Sequence, residues 1–285
     1  MIYVITGPTG VGKTNISIKL AKLLNASIIS CDSMQIYKEL NIGTAKITEK
    51  EKQNIKHYLI DIKSVTEDYS VYDYQKDARK VLDKLIKENK NVLIVGGTGL
   101  YLKALLYDYK FNNEEIFDYS KYSLEELVEK VKNIDKNIDI DFNNRRRVER
   151  CLNKLENNIK FTTNKNKKLY NFKVIGLIRN RDNLYNNINI RVDKMINNGL
   201  IEEAYNLYNK NIRTRAINTA IGYKELYLYF DKKISLEEAI SKIKLSTRRY
   251  AKRQLTFLKN QIPDITWYNL DEVSEEEIIS KIISM

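Results

Sequence analysis

The sequence predicts an α/β fold in which a parallel sheet, built around a phosphate-binding loop, is flanked by helices and interrupted by a small helical insertion. Three observations predict it. The apolar, β-branched run Ile2–Thr6 leads directly into a glycine-rich loop, a helical pattern follows that loop, and further strand-like runs follow in turn. Such alternation is typical of a parallel sheet with helices on its faces.

Strand and helix patterns alternate along the first hundred residues. Apolar residues from Ile16 to Leu23 recur at helical spacing, and Ala26–Cys31 then indicates a second buried strand. An amphipathic pattern between Ala78 and Ile86 predicts a helix before the third strand, Val92–Gly96. Ligands of open α/β sheets bind beyond the carboxyl ends of the strands, so Asp32 is expected beside a ligand crevice.

The character of the chain changes between residues 112 and 168, where charged and Asn-rich helical stretches contain no strong buried strand. We therefore predict a catalytic core formed by residues 1–111 and 169–285, with 112–168 as an inserted helical domain. Phe172–Leu177 predicts a returning strand. Only helices are predicted after it, including a long one with apolar residues from Leu236 to Leu258.

Composition limits the class of protein. Lys and Arg number 49 against 37 Asp and Glu, and the net charge of +12 indicates a polyanionic partner such as nucleic acid. One His and two Cys exclude a zinc site with several His or Cys ligands and make a disulfide scaffold improbable. We find neither a basic leader nor an apolar run of about 20 residues, so we expect a cytoplasmic protein without a membrane span.

The segment Gly7–Thr14 fits the phosphate-binding pattern Gly-x4-Gly-Lys-Thr between a strand and a helix. Its glycines allow backbone N–H groups to surround a polyphosphate, Lys13 neutralises charge, and the Thr14 hydroxyl can ligate magnesium. The third strand ends in Gly96–Gly99, not in the Asp of motor-type and switch-type NTPases. This favours a transferase, although the loop alone does not distinguish ATP from another diphosphate.

Other polar residues are candidates for chemistry or binding. Asp32 is placed to accept a proton from an attacking nucleophile, although a turn-capping carboxylate is equally consistent with its position. Thr98 brings a hydroxyl to the next strand end. Arg145–Arg147 with Arg150 form a dense guanidinium cluster suited to phosphate contacts. A further stripe of four cations on the long helix is as consistent with a solvated face: Arg248, Arg249, Lys252 and Arg253.

Several motifs taken together resemble the tRNA dimethylallyltransferases, also called isopentenyl-tRNA transferases, nearly from end to end. The motifs that carry the resemblance are Gly7–Thr14, Asp32–Tyr37, Gly43–Lys46, Gly96–Tyr101, Arg147–Arg150, Arg191–Met195, Gly199–Glu203, Ile221–Glu225 and Thr247–Thr256. The chain departs from the family pattern at Asn144, where Asp is expected, and at Phe257, where Trp is usual.

The resemblance implies transfer of the dimethylallyl group from dimethylallyl diphosphate to the exocyclic N6 amine of the adenosine 3′-adjacent to the tRNA anticodon. It assigns Asp32 as general base and Thr98 as its partner in the reaction centre. The diphosphate would be held, with magnesium on Thr14, by Gly7, Thr9, Gly10, Val11, Gly12, Lys13, Thr14 and Arg191.

The resemblance also implies a path for the anticodon stem-loop of tRNA, with the 112–168 insertion as an RNA clamp. The residues expected to line this path are Asp32, Ser33, Met34, Gln35, Thr98, Arg146, Arg147, Val148, Glu149, Arg150, Thr219, Gly222, Tyr223, Lys224, Arg249, Lys252, Arg253 and Gln254. The target base must leave its stack to reach the crevice. We expect a monomer.

Two alternatives stay open. An ATP-dependent small-molecule kinase would share the loop and the acidic residue after the second strand, and it predicts ATP turnover that is indifferent to tRNA. A noncatalytic RNA-binding module with a vestigial loop predicts tRNA affinity without product.

Overall fold

The computed structural model describes residues 1–111, 115, 117–159 and 167–284. In this part of the chain, one sheet of six parallel strands forms the centre, in the order β3-β2-β4-β1-β5-β6. The strands are β1 (Ile2–Thr6), β2 (Ala26–Ser30), β3 (His57–Tyr58), β4 (Asn91–Gly96), β5 (Phe172–Ile178) and β6 (Ile265–Asn269).

The helices follow the strands as the α/β prediction requires. They are α1 (Lys13–Leu23), α2 (Glu49–Lys52), α3 (Val71–Lys87), α4 (Gly99–Leu106), α5 (Leu124–Ile134), α6 (Arg145–Glu156), α7 (Arg181–Asn197), α8 (Leu200–Asn209), α9 (Arg215–Thr219), α10 (Tyr223–Phe230), α11 (Leu236–Gln261) and α12 (Glu275–Ile283). Local sequence determines where several helices begin. Ser70, Ser123 and Ser235 form capping boxes at the first turns of α3, α5 and α11, respectively.

The predicted α/β class and its parallel sheet are confirmed, and β1, β2, β4 and β5 lie within one residue of their predicted bounds. The prediction that only helices follow β5 is wrong. Strand β6 pairs in parallel with β5, with Val174 opposite Ile265. A short apolar run between helices does not reveal by periodicity alone whether it is a strand.

The sheet is covered on both faces. Alternate residues of β1 point to opposite sides, so that Val4 belongs to one apolar cluster with Ile94 and Leu102, whereas Ile5 belongs to another with Ile16 and Ile188. Burial on both faces explains why these strands are apolar runs without alternation. The sheet therefore holds the loops at its carboxyl edge on a rigid base.

The chain forms two compact units, Met1–Asp108 with Asn166–Met285 and, between them in sequence, Tyr109–Lys165. The predicted insertion, 112–168, begins and ends three residues later than this second unit. Helices α5 and α6 pack together in it around Leu127, Val131, Val148 and Leu152. Residues 112–114, 116 and 160–166 of the insertion lie outside the described part. Among the described residues, no helix has the length and apolarity needed to cross a membrane.

Candidate active site

The phosphate-binding loop connects β1 to α1. Gly7, Gly10 and Gly12 have φ angles of 147°, 79° and 111°, which L side chains rarely adopt. At Gly7 space is also lacking, since a Cβ atom would lie 2.3 Å from the Leu177 carbonyl oxygen. The first turn of α1 contains no acidic residue. The loop thus presents the positive end of a helix to an anion.

Lys13 is folded back over the loop. Its Nζ donates hydrogen bonds of 2.9 Å to the carbonyl oxygens of Gly7 and of Pro8. Burial and, to a lesser degree, the nearby Arg191 lower the pKa of Lys13 to about 8, while Asp32 opposes this effect. The ammonium group is therefore poised to gain stability from an anion.

Arg191 reaches the same place from α7. The Ile188 side chain of this helix packs against Gly10, where a Cβ atom would lie 2.9 Å from Ile188 Cγ1. One turn later, Arg191 donates to Thr9 Oγ1 and to the Thr44 carbonyl oxygen, both at 3.2 Å. Burial lowers the pKa of Arg191, and Asp32 raises it. Two partly buried cations thus lie beside one carboxylate.

Asp32 and Thr98 lie at the ends of neighbouring strands, β2 and β4. The Oδ1 atom of Asp32 accepts the backbone N–H groups of Met34 at 2.9 Å and of Gln35 at 3.3 Å, so it caps a turn. Its Oδ2 atom forms no hydrogen bond with the described part of the chain. Thr98 Oγ1 accepts the Ser33 N–H at 3.3 Å. One carboxylate oxygen shapes the loop, and the other is available for chemistry.

The close approach of these strand ends depends on Gly96. A Cβ atom at Gly96 would lie 2.1 Å from the Cys31 carbonyl oxygen. That same carbonyl oxygen accepts the Thr98 N–H at 3.2 Å. The Gly-Gly-Thr-Gly segment therefore fixes Thr98 against the residue that precedes Asp32.

The residues predicted to bind tRNA differ in exposure. Arg146, Arg147, Arg150, Thr219, Arg249, Lys252 and Arg253 are exposed, whereas Asp32, Ser33, Met34, Gln35, Thr98, Glu149 and Lys224 are partly buried. Val148, Gly222, Tyr223 and Gln254 are buried. Their assignment to RNA binding stays a prediction, and for this last group the side chains are within the protein rather than on its surface.

The arginine cluster of α6 is only partly free for a partner. Arg145 pairs with Glu149 at 2.7 Å, and Val148 lies in the core between α5 and α6. Arg146, Arg147 and Arg150 are the exposed members, with Arg147 3.8 Å from Asp141. Three guanidinium groups thus face solvent.

The predicted stripe of four cations on α11 is fully exposed at three of its positions. Arg249, Lys252 and Arg253 are exposed, but Arg248 turns towards α7, where it donates to Asn189 Oδ1 at 2.9 Å. Arg248 lies 100° from Arg249 on an ideal helix, which is enough to bring it under the neighbouring helix. Arg248 is therefore the partly buried edge of the stripe.

Sequence reasoning identified the motif Gly199–Glu203 without a role for Glu203, which supports the site from behind. Its carboxylate accepts backbone N–H groups of residues 41–43 and the Tyr223 hydroxyl. Gly43 leaves room for the Tyr223 ring, since a Cβ atom there would lie 2.5 Å from it. This anchors the loop whose Thr44 carbonyl oxygen meets Arg191.

A second support, Arg179 with Asp271, had no signal in the sequence. Arg179 Nε donates to the Val11 carbonyl oxygen at 3.2 Å, and its Nη1 pairs with Asp271 Oδ1 at 2.7 Å. Asp271 also accepts the Asn180 N–H at 2.7 Å. The phosphate-binding loop is therefore fixed at its outer side by the ends of β5 and β6.

Comparisons with known proteins agree on one family. The family model described as IPP transferase matches residues 35–261. A curated tRNA dimethylallyltransferase of Bacillus anthracis is 44% identical over an alignment 300 residues long. The alignment covers 99% of this chain and 94% of the relative. The crystal structure of the full-length tRNA isopentenylpyrophosphate transferase of Bacillus halodurans is 40% identical with a TM-score of 0.79, covering 99% of this chain and 94% of that one.

A more distant structure has the same fold. It is that of a eukaryotic dimethylallyltransferase described as acting on tRNA, which is 26% identical with a TM-score of 0.82 and is matched over 99% of this chain and 79% of its own. Both the sequence match and the fold extend over almost the whole chain. The chain therefore belongs to the IPP transferase family.

Proposed function

We propose that this protein transfers a dimethylallyl group from dimethylallyl diphosphate to the N6 amine of the adenosine 3′-adjacent to a tRNA anticodon. The observation that carries the proposal is the juxtaposition of Asp32 and Thr98 with Lys13 and Arg191 at one edge of the sheet. A site with two partly buried cations and one carboxylate suits a reaction in which an anion leaves and a proton is removed.

The diphosphate is assigned to the phosphate-binding loop. Backbone N–H groups at the start of α1, together with Lys13 and Arg191, would bind its oxygens. The described residues contain no group of three His, Cys, Asp or Glu side chains able to hold a metal. Magnesium would be held by the exposed Thr14 hydroxyl together with diphosphate oxygens, where it would neutralise charge.

In the reaction, the adenine N6 forms a bond to C1 of the dimethylallyl group as the C1–oxygen bond breaks. The electron pair of that bond passes to the diphosphate, which gains charge beside Lys13 and Arg191. The N6 proton passes to Asp32 as general base. Thr98, held by the Ser33 N–H, orients the amine.

The adenine must leave its stack to reach this edge of the sheet. The exposed cations of α11 and, separately, those of α6 would bind tRNA phosphates, a use for the net charge of +12. This assigns tRNA as the polyanionic partner and α6 as part of its binding surface.

The test is incubation of the protein with labelled dimethylallyl diphosphate, magnesium and an unmodified tRNA transcript, followed by nucleoside analysis. We expect labelled N6-isopentenyladenosine and negligible ATP hydrolysis in a parallel reaction. ATP turnover without prenyl transfer would instead establish the kinase alternative. Binding of tRNA without any product would establish the noncatalytic RNA-binding module.

A further inference from the structure

One face of α11 runs behind the reaction centre. Tyr250, Gln254 and Phe257 occupy positions i, i+4 and i+7 of this helix and therefore share one side. Tyr250 lies close to Thr98, and burial raises the pKa of the Tyr250 hydroxyl to about 12. At the other end of the face, a Cβ atom at Gly99 would lie 2.3 Å from the Phe257 ring.

Gln254, in the middle of this face, contacts both glycine-rich loops of the site. Its Oε1 atom accepts the Thr9 N–H of the phosphate-binding loop at 2.8 Å. Its Nε2 atom lies against Gly97, where a Cβ atom would be only 2.3 Å away. The side chain is 6% exposed. One amide thus bridges the loop assigned to the diphosphate and the loop that carries Thr98.

The position of the Thr9 N–H explains why this contact is compatible with diphosphate binding. Thr9 precedes Gly10–Thr14, the part of the loop that leads into α1, and backbone N–H groups at a helix N-terminus are the ones suited to binding a phosphate. Gln254 therefore satisfies a loop donor that the diphosphate does not require. It sets the loop conformation and leaves the anion-binding groups free.

We propose that Gln254 is a positioning residue, which fixes the phosphate-binding loop relative to Gly97 and Thr98 and does not contact RNA. This inference deepens the proposed function and rests on it for the identity of the substrates. It differs from the RNA contact that the family resemblance implies for Gln254. A positioning role predicts weaker diphosphate binding with unchanged tRNA binding when Gln254 is replaced. An RNA contact predicts the reverse.

The experiment compares Gln254→Met with Arg253→Met, which introduces the same side chain one residue earlier at an exposed position. Met preserves the volume of Gln but removes the acceptor for the Thr9 N–H. Without this hydrogen bond the bridged loop conformation loses about 10-fold in population relative to other conformations, so the fraction of protein competent to bind diphosphate falls by up to that factor. We therefore expect a roughly 10-fold higher KM for dimethylallyl diphosphate, a matching loss of pyrophosphate affinity by calorimetry, and a Kd for tRNA within about 2-fold of wild type.

Arg253→Met is expected to show the reverse pattern, with weaker tRNA binding and unchanged pyrophosphate affinity. If Gln254→Met weakens tRNA binding alone, weakens both ligands equally or changes neither, the positioning role is wrong. Should this variant not fold, Gln254→Asn, which keeps an amide but is one methylene shorter, takes its place with the same expectations. If wild type transfers no prenyl group, the proposed function fails, while pyrophosphate calorimetry still tests Gln254.

Discussion

Replacement of Lys13 by Met is expected to stabilise the ligand-free protein while abolishing its response to diphosphate. The lowering of the Lys13 pKa from 10.5 to about 8 corresponds to roughly 3 kcal/mol of unfavourable free energy for the charged form at neutral pH. Methionine removes this cost but leaves two loop carbonyl groups without their donor, which costs about 1–2 kcal/mol. The net gain is about 1–2 kcal/mol, or a Tm higher by roughly 2–5 °C.

The sign of the pH dependence follows from the direction of the shift. Between pH 8 and pH 10.5 the folded protein binds fewer protons at Lys13 than the unfolded chain, so this residue makes wild type more stable as the pH rises. Below pH 8 the penalty is fully present. The advantage of Lys13→Met is therefore largest at pH 7 and decreases towards pH 10.

Calorimetric melting at pH 7 and pH 9.5, with and without pyrophosphate and magnesium, measures both effects. Lys22→Met, an exposed lysine of the same helix, is the matched control and should leave both the Tm and the pyrophosphate response near wild type. Wild type should gain about 2.7 kcal/mol at 100 times the pyrophosphate Kd, whereas Lys13→Met should gain little. A variant with a Tm below that of wild type at pH 7 would refute the inference that charged Lys13 destabilises the ligand-free protein.

Three further variants test the remaining assignments. Asp32→Asn keeps the turn-forming oxygen but not the base, so single-turnover prenyl transfer should slow by about 10²–10⁴-fold with pyrophosphate affinity preserved; a near-normal rate would remove Asp32 as the base. Alanine at Arg146, Arg147 and Arg150 together should weaken tRNA binding and reduce its salt slope by up to about 2–3; an unchanged slope would leave this cluster as a solvated surface. Tyr223→Phe should lower the free energy of unfolding by about 1–2 kcal/mol without altering the tRNA Kd, since its hydroxyl is bound inside the protein; a weakened Kd at unchanged stability would assign it to RNA contact.

The structural features that could be predicted from the sequence are those that local chemistry determines. The phosphate-binding loop can be recognised from the sequence because its glycines must adopt unusual φ angles and its lysine has a fixed place in the motif. The strands nearest to it are long apolar runs. Strand β6, with five residues of which only Tyr268 is buried, carries no comparable pattern. Edge strands of this kind are set by the neighbour with which they pair rather than by their own periodicity.

The supports of the site could not be predicted for a different reason. Arg179 and Asp271 are 92 residues apart, and Thr9 and Gln254 are separated by 245. Neither pair has a local spacing that chemistry constrains, because the fold alone brings the partners together. The position of a residue within a motif does not reveal its burial either, since Gln254 follows three exposed cations on α11 and is itself buried.

The charge arrangement explains how one site can hold a base and still favour an anionic leaving group. Asp32 raises the pKa values of both Lys13 and Arg191, so each cation is stabilised by the carboxylate before a substrate arrives. In the proposed reaction, negative charge grows on the diphosphate as the C1–oxygen bond breaks, and the negative charge of Asp32 disappears as it takes up the proton. With both changes, Lys13 and Arg191 interact less with Asp32 and more with the leaving group. The interaction therefore strengthens along the reaction path, which is the condition for lowering the barrier and not merely for binding the substrate.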